Sequence, residues 1–166
     1  RLDADEQAVS SWSQDWSSDW SSSAREIAML VSYRTGRLEQ ALVLALDRID
    51  DSYRIGYADA ELRIAADALE RLGLDHRRLE AASKGTRGHV LLRLALRALQ
   101  RGERERARDM LDLALEDPPE QTTLAKLLRQ LSDHVIPGND EPPGEELKKL
   151  LAESSGHLLG HGEPLL

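Results

Sequence analysis

The chain contains no cysteine and no phenylalanine, and aromatic residues make up only 4% of it. The first absence excludes disulfides, thiolate nucleophiles and thiolate metal sites, and it leaves the redox compartment unread. A cytoplasmic location is expected, with the periplasm also open. Without phenylalanine the core has to be assembled from Leu, Ala and other small or aliphatic side chains, a composition that favours helix over sheet. No apolar run approaches the ~20 residues that a membrane helix needs, and no basic-then-apolar signal layout opens the chain. A start at Arg1 is compatible with a fragment or a processed product.

Positive charge is also in deficit. Lys and Arg number 22 against 30 Asp and Glu, a formal net charge of −8. The resulting field repels a phosphate backbone or an anionic lipid surface, so neither nucleic acid nor membrane insertion is expected and basic ligands are favoured. No phosphate loop, dinucleotide glycine pattern, nucleophile elbow or metalloprotease helix motif is present, and no enzymatic activity or cofactor is expected. His157 and His161 stand four apart, but Gly160 and the glycine-rich surroundings point to a tail instead of a metal site.

What is present is helical periodicity. Ser23-Ala-Arg-Glu26 has the form of a capping box and predicts a helix from Ala24 to about Gly36. Leu38, Ala41, Leu42, Ala45, Leu46 and Ile49 continue as a second helix after one short turn. A third runs from about Tyr53 to Leu72, followed by a short charged helix over 75–83. The two glycines of Lys84-Gly-Thr-Arg-Gly88 predict a loop. Further helices are expected over Val90–Gln100, Arg104–Leu115, 121–135 and Glu145–Glu153, the last after a Pro/Gly-rich linker.

Three glycines give the pattern a period. Gly36 and Gly102 lie 66 residues apart with Gly73 between them, so the spacings of 37 and 29 straddle a repeat of about 34 residues. The stretch Leu91–Pro118, with Leu94-Ala95, Gly102, Ala107, Leu111, Ala114 and the closing proline, resembles a unit of the tetratricopeptide-repeat family. Residues 24–50 follow the same register through Ala28, Gly36, Ala41 and Ala45, and the middle unit keeps its first helix but carries Arg78 where a small residue belongs. The resemblance implies an all-α fold of antiparallel helical hairpins stacked as a short solenoid, with residues 121–135 as a C-terminal capping helix.

It further implies a concave groove lined by the first helix of each pair. By register this places Leu30, Tyr33 and Arg34 from the first unit, Arg63, Asp67 and Arg71 from the second, and Arg93 and Leu96 from the third in the partner-binding surface. Tyr33 with Arg34 is the preferred hot spot, since aromatic and Arg side chains carry a disproportionate share of interface energy.

The remaining feature is the leader. Residues 1–23 are acidic and Ser-rich and carry all three tryptophans, Trp12, Trp16 and Trp20, at helical spacing. Such a stripe has to be covered, either as a cap on its own first hairpin, as a partner-binding helix, or in a homodimer formed through the leader. The domain plan is thus a leader over 1–23, a repeat domain over 24–136, and a linker, short helix and tail over 137–166. The function expected from this plan is that of a bacterial adaptor, chaperone or assembly factor that binds another protein or peptide. The alternative is a regulatory or oligomerisation domain of a larger enzyme or transcription regulator.

Overall fold

The computed structural model describes residues 22–52, 59–80, 82–139 and 141–158. The described residues are all-helical: α1 (Ser22–Arg34), α2 (Leu38–Ser52), α3 (Asp59–Arg71), a 3-10 turn (His76–Leu79), α4 (Lys84–Gln100), α5 (Arg104–Glu116), α6 (Thr122–His134) and α7 (Glu145–Leu158). Residues 53–58, expected to open α3, and Trp12, Trp16, Trp20 and His161 lie outside the described residues.

The three marker glycines end their helices in the same way. Gly36, Gly73 and Gly102 have φ of 78°, 87° and 76°, a conformation that costs a glycine little and other residues more. At each, the next residue donates its N–H to a carbonyl five positions back: Arg37 to Ser32, Leu74 to Leu69 and Glu103 to Ala98, at 2.8–2.9 Å. This is the Schellman closure, which satisfies carbonyls that the end of a helix leaves without partners. One local device therefore recurs at every point where the sequence shows its period.

Side chains then decide how the helices pair. Ala41, Ala45, Ala65, Ala66, Ala95, Ala107 and Ala114 are fully buried, and these small residues let helix axes approach closely while leucines fill the space beside them. α1 packs on α2, α2 on α3, α3 on α4, α4 on α5, α5 on α6 and α6 on α7. α7 also touches α3, so the helices from α3 onward close on themselves. Leu147, Leu150 and Leu151 of α7 belong to the same buried cluster as Leu69, Leu96 and Leu131. Burying a leucine stabilises by roughly 1.5–3 kcal/mol relative to exposure, which suffices to hold α7 in place beyond the Pro/Gly-rich connection.

Two local expectations are corrected. The Lys84–Gly88 segment is the first turn of α4, capped by Ser83, whose hydroxyl accepts from the Thr86 N–H at 3.3 Å. Its glycines serve close packing: a Cβ on Gly88 would collide with the Asp117 carbonyl and lie 3.0 Å from Pro118 and Pro119. Ser23, expected as the cap before Ala24, lies within α1, and the Glu26 carboxylate lies 3.6 Å from Arg48 on α2.

After α3, the short charged helix expected over 75–83 is a single 3-10 turn, started by Asp75, whose side chain accepts from the Arg77 N–H. Leu79 fills the core, while Arg78 turns outward to Glu39 at 2.7 Å. The shortened segment brings the start of α4 onto the end of α2, where Asp50 accepts from the Ser83 N–H at 3.2 Å and from the Thr86 hydroxyl.

Candidate functional site

The groove expected along α1, α3 and α4 separates into an exposed part and a buried part. On α3 the residues Arg63, Asp67 and Arg71, each one turn apart, form a narrow strip at the surface, with Arg63 and Arg71 exposed and Asp67 half-buried. Beside it on α1 stand Arg34, which is exposed, and Leu30 and Tyr33, which are half-buried. On α4 the picture is different. Arg93 and Leu96 are each 1% exposed, and Leu92 and His89 are buried with them, so α4 reaches this face only at its C-terminal end, through Arg97 and Arg101.

A polar ladder ties the exposed strip together. The Tyr33 hydroxyl donates to the Asp67 carboxylate at 2.7 Å, which fixes α1 against α3. Arg71 approaches the same carboxylate at 3.7 Å, one helical turn along α3. Arg97 of α4 lies 3.1 Å from Glu70 and 3.7 Å from Asp67, and Arg101 donates to Glu70 at 2.9 Å. The bond to Asp67, aided by burial and by the negative charge of that carboxylate, raises the Tyr33 phenol above its ordinary value, because ionisation would set two anions face to face. The Tyr33 ring is consequently a fixed wall of the site, with its polar end already engaged.

A second pair lies deeper. Arg48 on α2 contacts the buried carboxylate of Glu61 on α3 at 2.8 Å. Removing one partner of such a pair leaves a charge without compensation in a poorly solvated place, so its role is to hold the helix order.

The exposed cations Arg34 and Arg63 make no ion pair among the described residues and flank the ladder on α1 and α3. The strip thus presents a fixed aromatic edge, an aliphatic residue at Leu30, a carboxylate shared among three side chains and mobile guanidinium groups. Among the described residues no group of three or more His, Asp or Glu is placed to hold a metal ion, and no helix is long and apolar enough to cross a membrane.

Comparison with protein families, with curated proteins and with solved structures yields no match.

At the opposite end a cleft opens among Leu99, Leu131, Val135, Pro143 and Leu147. Arg104 crosses it to donate to the Asn139 carbonyl, tying α5 to the connection before α7. Its lining joins core leucines to three titratable residues, Arg104, His134 and Glu141. Sequence periodicity could not separate this cleft from the groove, because the separation depends on where α7 returns, a long-range contact with no local signal.

Proposed function

We propose that the chain is a tetratricopeptide-like interaction scaffold of the adaptor, chaperone or assembly-factor kind, which holds a segment of another protein against α1 and α3. The observation that carries this reading is the strip formed by Leu30, Tyr33, Arg34, Arg63, Asp67 and Arg71: it is exposed or half-buried, chemically mixed and joined across two helices by the Tyr33–Asp67 hydrogen bond. Preorganisation of this sort lowers the ordering cost that a bound segment would otherwise impose. The recurrent glycine closures and the fully buried Ala41 and Ala107 support the stacked-hairpin architecture on which the reading depends. Arg93 and Leu96 are left out of the surface, as both are interior.

Photo-crosslinking from positions 34 and 63 in a host-cell extract tests the proposal. It predicts a discrete protein adduct from both positions, lost on Arg34→Glu with Arg63→Glu, and none from position 109 on the exposed side of α5. Adducts of equal yield from position 109, or none from 34 and 63, would contradict it.

A further inference from the structure

The strip on α1 and α3, with the end of α4 beside it, has a charge opposite in sign to that of the chain. Arg63, Arg71, Arg97 and Arg101 gather around only two carboxylates, Asp67 and Glu70. Arg71 and Arg97 approach Asp67 at 3.7 Å, and Arg97 and Arg101 reach Glu70 at 3.1 and 2.9 Å. The charges of Arg63 and Arg71 both act on the Tyr33 phenol that is bonded to Asp67. The chain as a whole carries −8. Its total charge favours basic ligands, and this face does not.

Depth separates the two signs further. The Asp67 and Glu70 side chains are 26% and 13% exposed, whereas those of Arg71 and Arg101 are 52% and 45% exposed. Arg63 is exposed and makes no ion pair among the described residues. Both carboxylates are also committed: Asp67 accepts from the Tyr33 hydroxyl, and Glu70 accepts from Arg101 through both of its oxygens. Each guanidinium has about five N–H donors against about four acceptor sites on a carboxylate, so the donors here far outnumber the acceptors. An approaching chain first meets a cationic layer over an anionic floor, with the half-buried Leu30 and Tyr33 at its side. An acidic segment is repelled by the net charge of the molecule and attracted at this face, which steers it here.

Spacing adds a second constraint. Arg63 and Arg71 lie two turns apart on α3, about 12 Å along its axis. An extended chain covers that span in about four residues, with the residue midway between on the same side.

We infer that the segment held on α1 and α3 is acidic: an extended stretch with carboxylates four residues apart, taken by Arg63 and Arg71, and an apolar residue between them against Tyr33 and Leu30. This rests on the scaffold reading above and adds the chemistry of the partner.

Fluorescence anisotropy tests it with a fluorescein-labelled peptide of about 12 residues built on the repeat Glu-Ser-Leu-Ser, beside twins that carry Gln or Lys in place of Glu. The Glu peptide is expected to bind at least about tenfold more tightly than the Gln twin, and to lose that margin between about 50 and about 500 mM salt. Arg63→Glu with Arg71→Glu is expected to weaken it by about tenfold or more, and Arg63→Gln with Arg71→Gln by part of that, both with the helical circular dichroism kept. Arg108→Glu with Lys126→Glu makes the same change of net charge on α5 and α6 and is expected to leave the affinity within about twofold. A Glu peptide no tighter than its Gln twin, preferential binding of the Lys twin, or equal losses from the two charge reversals would overturn the inference. Photo-crosslinking from positions 34 and 63 reports on the scaffold reading separately. Adducts there preserve that reading even when the Glu peptide fails, and their absence removes it whatever the peptide does.

Discussion

The units built on α4–α5 and on α3 begin alike and end differently. Both have a first helix rich in buried alanine and leucine, closed by a glycine with positive φ. In the α4–α5 unit, Ala107 sits where the helices meet and is fully buried, and a 13-residue second helix follows. In the α3 unit that place is taken by Arg78, whose guanidinium leaves the interior to pair with Glu39, and the second helix contracts to a four-residue 3-10 turn. Arg78 thus makes its contact at the surface, where Ala107 makes its own in the interior. The consequence is long-range: α4 descends onto α2 through Asp50, and α7 comes to lie against α3.

Substitutions can break or sharpen this contrast. The largest effect is expected from Gly88→Ala, because the added methyl meets the backbone of Asp117 and Pro118, which cannot yield without moving the loop that closes the complete unit. A loss of about 3 kcal/mol or more in urea unfolding is expected, whereas Gly85→Ala, which crowds the Glu120 side chain at its Cγ and meets no backbone atom closer than 3.5 Å, is expected to cost less.

Ala107→Leu comes next. Inserting three carbons between α4 and α5 is expected to cost about 1–3 kcal/mol in the same measurement. Tyr33→Phe removes the hydrogen bond to Asp67 and is expected to cost about 1 kcal/mol. It also has a pH signature. The Tyr33 pKa is raised in the folded state, so its stabilisation is complete below the unfolded tyrosine value and fades as pH rises through the folded one. The wild type should therefore lose stability above about pH 10 more steeply than Tyr33→Phe, as followed by thermal melts across that range. The smallest effect is expected from Arg78→Ala, under about 1 kcal/mol, since the pair with Glu39 lies at the surface.

These contrasts also mark what the sequence made legible. The helices around Gly36, Gly73 and Gly102 were readable because local periodicity and a terminal glycine carry their own physical cause. Gly85 and Gly88 were misread as helix breakers: a glycine required for close approach and one required for a turn look identical in sequence, and only the position of Pro118 and Pro119 tells them apart. Tyr33, Asp67 and Arg71, which the register sets on one surface, do lie within contact of one another. Arg93 followed from the same register, yet it is interior, because burial of α4 on all sides is set by packing among distant elements. That an arginine can be so buried has no local sequence signal.

The claim that the strip on α1 and α3 is open while the middle of α4 is closed is tested most directly by thiol labelling, which the absence of native cysteine makes clean. Single Arg34→Cys, Arg63→Cys, Arg71→Cys and Leu96→Cys variants, each verified as folded, would be reacted with a maleimide under native conditions. The account predicts that positions 34, 63 and 71 react at the rate of the denatured chain and that position 96 is slowed more than about 100-fold, reacting only through opening of the core. Equal rates at 63 and 96 would contradict it and restore an open groove along α4.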